Sequence, residues 1–231
     1  MPDHTVKAFD ADITNLKRMV AELREGVEKE LKDSVEALIG NDDDLVKAAL
    51  ALGETNVARS RDIEAGVMLL IARRQPVASD LRFIIAIWEA SIELGRISGI
   101  ARSVTSRAIA LGNVQSIPQS AAWGLRRITQ VASSQVRDIV NSLIRADTTG
   151  AEALAVGDRA ISAIYESLCR ELLTYIMADE PNPSLVHLLF CVKSIESVGD
   201  NVTNIAGAVL YAVHGRRMRP GEESSLESLS H

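Results

Sequence analysis

The chain has 231 residues, 25 Lys and Arg against 31 Asp and Glu for a formal charge of −6, and a hydrophobic content of 47%. That composition belongs to a folded protein with a sizeable core, which excludes intrinsic disorder and dependence on disulfide staples. The acidic balance excludes a general nucleic-acid binder, which needs a positive face against phosphates, and the longest apolar runs, at 67–72 and 83–88, fall far short of the roughly 18 residues that cross a bilayer. Cys169 and Cys191 form no CxxC pair and read as reduced thiols. With no leader-like stretch behind Met1, the expectation is a soluble, cytoplasmic protein.

In chain order, Val6, Phe9, Ile13, Leu16, Val20, Leu23, Val27, Leu31, Val35 and Leu38 recur at steps of three and four, the period of one helix face. A helix over 6–39 would be about 50 Å long. Gly40 ends it, and the acids at 42–44 offer N-caps for a second helix over 44–74. Gln75-Pro76 stops that one, a third runs over 79–111, and a loop at 112–118 follows. Three more are expected at 119–145, 149–178 and 184–213. Few aromatics and no alternating β-branched runs leave strands without support. Trp88 and Trp123 read as core or interhelical packing, and the tail 215–231 as disordered.

The sequence also repeats itself. Residues 32–42 match 137–147 at a shift of about 105, with Asp33, Val35, Leu38, Ile39 and Asp42 recurring as Asp138, Val140, Leu143, Ile144 and Asp147. Residues 49–54 match 153–158 at a slightly shorter shift. A tandem duplication accumulates such register changes at its loops, so the fold class is all-α, two tandem three-helix bundles: a first domain over 1–112 and a second over 113–214.

Chemistry is sparse. Glu196, Asp200 and Asn204 stand at i, i+4 and i+8 on one helix face. Two carboxylates four apart repel mildly unless a cation lies between them, and oxygen donors suit hard cations. Acids at this spacing are also common on solvated helices. None of the four histidines follows a Glu by three residues, which argues against a carboxylate-bridged di-metal enzyme. No Gly-rich phosphate loop is present.

Two strings carry a resemblance: Arg74-Gln75-Pro76-Val77-Ala78-Ser79-Asp80-Leu81-Arg82, and the Ile-Glu-x-x-Gly-Asp-x-x-x-Asn segment at 195–204. With His4, Phe9-Asp10-Ala11, residues 42–45, Gly53-Glu54 and Asn56-Val57, the chain from 4 to 214 resembles the PhoU family of bacterial phosphate uptake and signalling. The resemblance implies a non-enzymatic negative regulator of phosphate uptake and of the two-component starvation response. It would act through contacts with the ATPase subunit of a phosphate ABC transporter and with a sensor histidine kinase. It would form a homodimer, bind no nucleic acid, and reach membrane complexes only through proteins.

The resemblance also implies metal clusters held by (Glu/Asp)-x-x-x-Asp pairs on two helices of each bundle. Carried over, the second bundle supplies Glu196, Asp200 and Asp158, with Ser162 in the fourth place; the first supplies Glu54, with Ala58, Gly95 and Gly99 in the others. The expectation is a divalent or iron-type metal in the second bundle only. Asp80, Arg82 and Asn204 are candidate partner-binding residues, although Asp80 also reads as a cap of the third helix and Arg82 as an ion-pair partner of Asp80 or of a neighbouring acid. His187 reads as a packed or surface histidine. The alternative function is a divergent helical scaffold that kept the fold but lost metal binding and signalling.

Overall fold

The computed structural model describes residues 2–112, 117–155, 159–178 and 183–216. Three long helices, α1 (Pro2–Gly40), α2 (Asp43–Arg74) and α3 (Ala78–Leu111), form the first bundle. The second is built from α4 (Gln119–Arg145), α5 (Thr148–Ala155), α6 (Arg159–Ala178), α7 (Pro183–Glu196) and α8 (Val198–His214). No strand occurs among the described residues. The architecture is the expected one: all-α, two tandem three-helix bundles related by the internal repeat.

Local sequence explains the long rods. On α1 the apolar stripe from Leu16 through Leu38 is buried along its length and meets Ile63, Val67 and Leu70 of α2 and Ile84, Ile87, Leu94 and Ile97 of α3 in one core. Each such side chain withdrawn from water contributes about 1.5–3 kcal/mol. Asp42 caps α2, its carboxylate accepting from the backbone N–H of Asp44 at 2.9 Å and Leu45 at 3.1 Å. Gln75 closes α2 in the left-handed region, φ 50°, its N–H donating to the Ile71 carbonyl at 3.0 Å.

Of the expected fifth helix, α5 and α6 are the described parts, and 156–158 lie outside the described residues. One expected helix differs from the sequence reading. The sixth is interrupted at Ser197, whose dihedrals stay helical (φ −65°, ψ −8°). There the Asn201 amide donates to the Ser197 carbonyl at 2.8 Å, and Ser197 Oγ donates to the Ser194 carbonyl at 2.7 Å. Side chains competing for backbone acceptors loosen a helix at that turn. Trp123 is also not core: it stands 67% exposed at the start of α4. The expected disordered tail lies, beyond Arg216, outside the described residues.

The bundles share a single core, α3 lying along α7 and α8 and α1 along α4. Small side chains, Ala86, Ala90, Ala101 and Ala108 on α3 and Ala206, Ala208 and Ala212 on α8, are buried and let helices approach closely. Along the α1–α4 seam Arg126 grips Glu36 with two bonds of 2.7 Å. Glu28, buried, is held by Arg24 at 2.7 Å and by Arg137. No described helix is long and apolar enough to cross a membrane.

Candidate functional site

On α7 and α8, Glu196 and Asp200 flank the Ser197 interruption, with Asn204 exposed one turn further on. Glu196 Oε2 accepts from Lys193 Nζ at 2.6 Å, and the same ammonium lies 5.3 Å from the Tyr165 ring centre of α6. The Glu196 carboxylate raises the Lys193 pKa, and a hydrogen bond with the Cys169 thiol, then burial, raises that of Tyr165. Asp200 is exposed. Asp158 lies outside the described residues, and Ser162 is exposed on α6. Among the described residues no three acids, histidines or cysteines cluster tightly enough to hold a metal ion.

The corresponding positions of the first bundle do not fit a metal. Glu54 is exposed, the other three positions are Ala58, Gly95 and Gly99, and one carboxylate does not hold a divalent ion without other donors. A Cβ placed on Gly99 would meet nothing within 4 Å, and one on Gly95 would meet only Ser60 Oγ, at 3.7 Å. Packing inside the chain therefore does not demand either glycine.

Polar chemistry in the first bundle lies one layer deeper, at a cluster the sequence reading missed. Glu30 of α1 is 1% exposed, and its Oε2 accepts from Asn56 Nδ2 at 2.8 Å and Ser98 Oγ at 2.6 Å. Burial raises its pKa, opposed by these two bonds and by the Arg102 charge. Two glycines make room for it. A Cβ on Gly53 would lie 2.6 Å from Glu30 Oε1, and one on Gly26 would lie 2.1 Å from Asn56 Oδ1. The signal in the sequence is an acid at the inward position three residues after Val27.

The α2–α3 turn, which carries the Gln-Pro string, is exposed from Val77 to Asp80, and Ala78 sits at φ 48°, a strained region for a residue with a Cβ. Asp80 does not cap α3: the cap position is Val77, which makes no side-chain bond. Arg82 does not pair with Asp80. Its Nε donates to the Ala212 carbonyl at 3.3 Å, tying the start of α3 to the end of α8. Arg74 reaches back to Asp12 at 3.0 Å. On α7, His187 is half-buried with Nδ1 unbonded, and burial pushes the Cys191 thiol up to about 12. Neither cysteine is in a disulfide.

Comparison with known proteins accounts for this arrangement. The PhoU domain matches residues 20–108 and again 125–209. The phosphate-specific transport system accessory protein PhoU homolog of Rhizobium meliloti strain 1021 is 34% identical over 213 residues, 92% of this chain and 90% of that protein. Its namesake in Pseudomonas aeruginosa PAO1 is 32% identical over 217 residues, 94% and 89% of the two chains. Among solved structures, PhoU from Pseudomonas aeruginosa superposes with a TM-score of 0.81 at 31% identity, covering 90% of this chain and 100% of that one. The phosphate transport system regulatory protein PhoU from Streptococcus pneumoniae, at 20% identity, shares the fold with a TM-score of 0.80 over 91% and 99% of the chains. The repeat first visible between residues 32–42 and 137–147 is thus a pair of PhoU domains, and the chain belongs to the PhoU family.

Proposed function

We propose that this protein is an accessory regulator of phosphate-specific transport. It holds the transporter and the two-component starvation response in check through protein contacts with the transport ATPase subunit and a sensor histidine kinase. The observation that carries this reading is the match of two PhoU domains, at 20–108 and 125–209, with relatives named for that transport system aligning over 92% of the chain. The chemistry agrees: Glu28, Glu30, Glu36 and Glu196 are engaged in ion pairs and internal bonds. Titration calorimetry with the purified ATPase subunit and with the cytoplasmic region of the kinase tests the contacts. Saturable binding to at least one is expected, and binding to neither would overturn the reading.

In the same reading Asp158, Glu196 and Asp200 hold one metal ion, in the second bundle alone. Their oxygen donors suit a hard or borderline cation, which would add positive charge beside Glu196 and Asp200. Such an ion competes with Lys193 for Glu196. The divergent-scaffold reading draws on Ala58, Gly95 and Gly99, which leave the first bundle without ligands; retained partner binding separates it from the regulator.

A further inference from the structure

A groove of about 830 Å³ lies between α4 and α6. It exists because the two helices touch and then part. A Cβ on Gly124 would lie 2.6 Å from Leu168 Cδ1, so the helices are in contact there. On the groove face of α6, the positions at 160, 163 and 167 carry only Ala, Ala and Ser. The α6 wall is therefore low, and the floor, Val131, Ile164 and Leu168, is apolar. At one end stands Trp123, 67% exposed. An exposed Trp beside an apolar floor and an arginine has the composition of an interface hot spot, not of ordinary surface.

Charge and shape narrow the occupant. On the α4 side Arg126 is committed to Glu36, whereas Arg127 is exposed and has no hydrogen-bond or ion-pair partner among the described residues. Glu171 stands on the α6 side. A visitor with acids along the edge facing α4 matches that polarity. The groove is walled by helices whose backbone groups are already used within them, so an extended peptide would bury unpaired N–H and C=O groups there. A helix brings its own backbone satisfied. Two copies of this chain facing each other through the groove would set concave against concave and leave both floors empty. From position 160 to 171 the α6 wall spans about 16 Å, three turns of helix.

We infer that the α4–α6 groove is the seat of one amphipathic helix of a partner protein, about three turns long, its apolar stripe on Val131, Ile164 and Leu168 and an acidic residue on Arg127. This stands on groove shape and charge and does not depend on which signal the protein regulates. The test places the photo-cross-linker benzoylphenylalanine at Ser167, irradiates cells making the full chain, and sequences the cross-linked peptides.

The expected adducts fall on one helical segment of another protein, with apolar residues at i, i+3 or i+4, and i+7 and an acid on one edge. They should fall about tenfold in Arg127→Glu, as when one interface charge is left unpaired, and in Ala163→Trp, which fills the groove from the wall. Reversing the mapped acid to Lys should restore cross-linking to Arg127→Glu. Unchanged circular dichroism would show that both variants fold. Adducts confined to the chain itself, adducts on an extended or loop segment, a yield no higher than from the same probe at exposed Glu64, or failure of the charge reversal to restore would each overturn the inference. Adducts meeting these criteria on a protein unconnected with phosphate transport would support the groove assignment while counting against the proposed function.

Discussion

Glu30 shows how much one side chain can impose on a bundle. Its carboxylate is buried among Asn56 and Ser98, and desolvation makes the charged form the unfavourable one, so its folded pKa is raised above 4.5. For a carboxyl shifted upward, the stabilising contribution is complete below the unfolded pKa and is lost as pH rises through the folded one. Glu30→Gln removes that loss. Its melting temperature should match the wild type near pH 4 and exceed it increasingly as pH rises above about 4.5. Thermal scans across pH check this, and a wild-type advantage that grows with pH would contradict it.

The glycines divide by the same reasoning. Gly99→Ala should raise stability by up to about 1 kcal/mol, because an exposed helical glycine gains propensity and its new methyl meets nothing. Gly53→Ala should lower it by about 1–3 kcal/mol, because its methyl collides with the pinned Glu30 carboxylate. Urea titrations of the two variants distinguish these signs. The sequence makes the missing ligands at Gly95 and Gly99 plain, since a glycine has no donor. It does not make the Glu30 cluster plain, because its partners Asn56 and Ser98 come from two other helices. Lys193 is a similar case: three residues before Glu196 it is a routine helix pair in sequence, and only the fold sets it beside Tyr165.

Among the elements, helix ends were legible wherever chemistry marks them. Asp42 and the Gln75-Pro76 pair stand where α2 begins and ends. Asp42→Ala should cost about 1 kcal/mol of stability through the lost cap, measured by denaturant unfolding. The break at Ser197 was not legible: no proline precedes it, and it arises from side chains of Ser197 and Asn201 taking backbone carbonyls.

The α1–α4 seam was equally hidden, because its pairs join residues about ninety or more apart. Glu36→Ala, at a solvent-accessible pair, should cost less than about 1 kcal/mol. Glu28→Ala, at a buried acid held by two arginines, should cost more, about 1–3 kcal/mol. Equal losses in the two variants would show that burial does not govern this seam.

At the scale of the whole molecule, duplication explains both the likeness of the halves and their divergence. The repeat gave each half an apolar frame, and the shared core along α3, α7 and α8 makes the halves one cooperative unit. In Trp123→Phe, unfolding followed by Trp88 fluorescence and by far-ultraviolet circular dichroism should therefore give coincident denaturation midpoints, and so should Trp123 fluorescence and dichroism in Trp88→Phe. Separated midpoints would mean that the bundles are independent. The fold class could be read from period and repeat because both are properties of residues near one another in the chain. The surface bearing Trp123 could not, since whether a Trp on an apolar face of α4 is covered depends on how closely α6 settles against it.

Regulation of phosphate-specific transport is the central claim, and repression in the living cell tests it most directly. A strain lacking this protein, with a phosphate-starvation promoter driving a reporter, is grown at high phosphate with and without the gene restored. The reporter should stay on in the deletion strain and be silenced again when the wild-type chain returns. A reporter normally repressed in the deletion strain would contradict it.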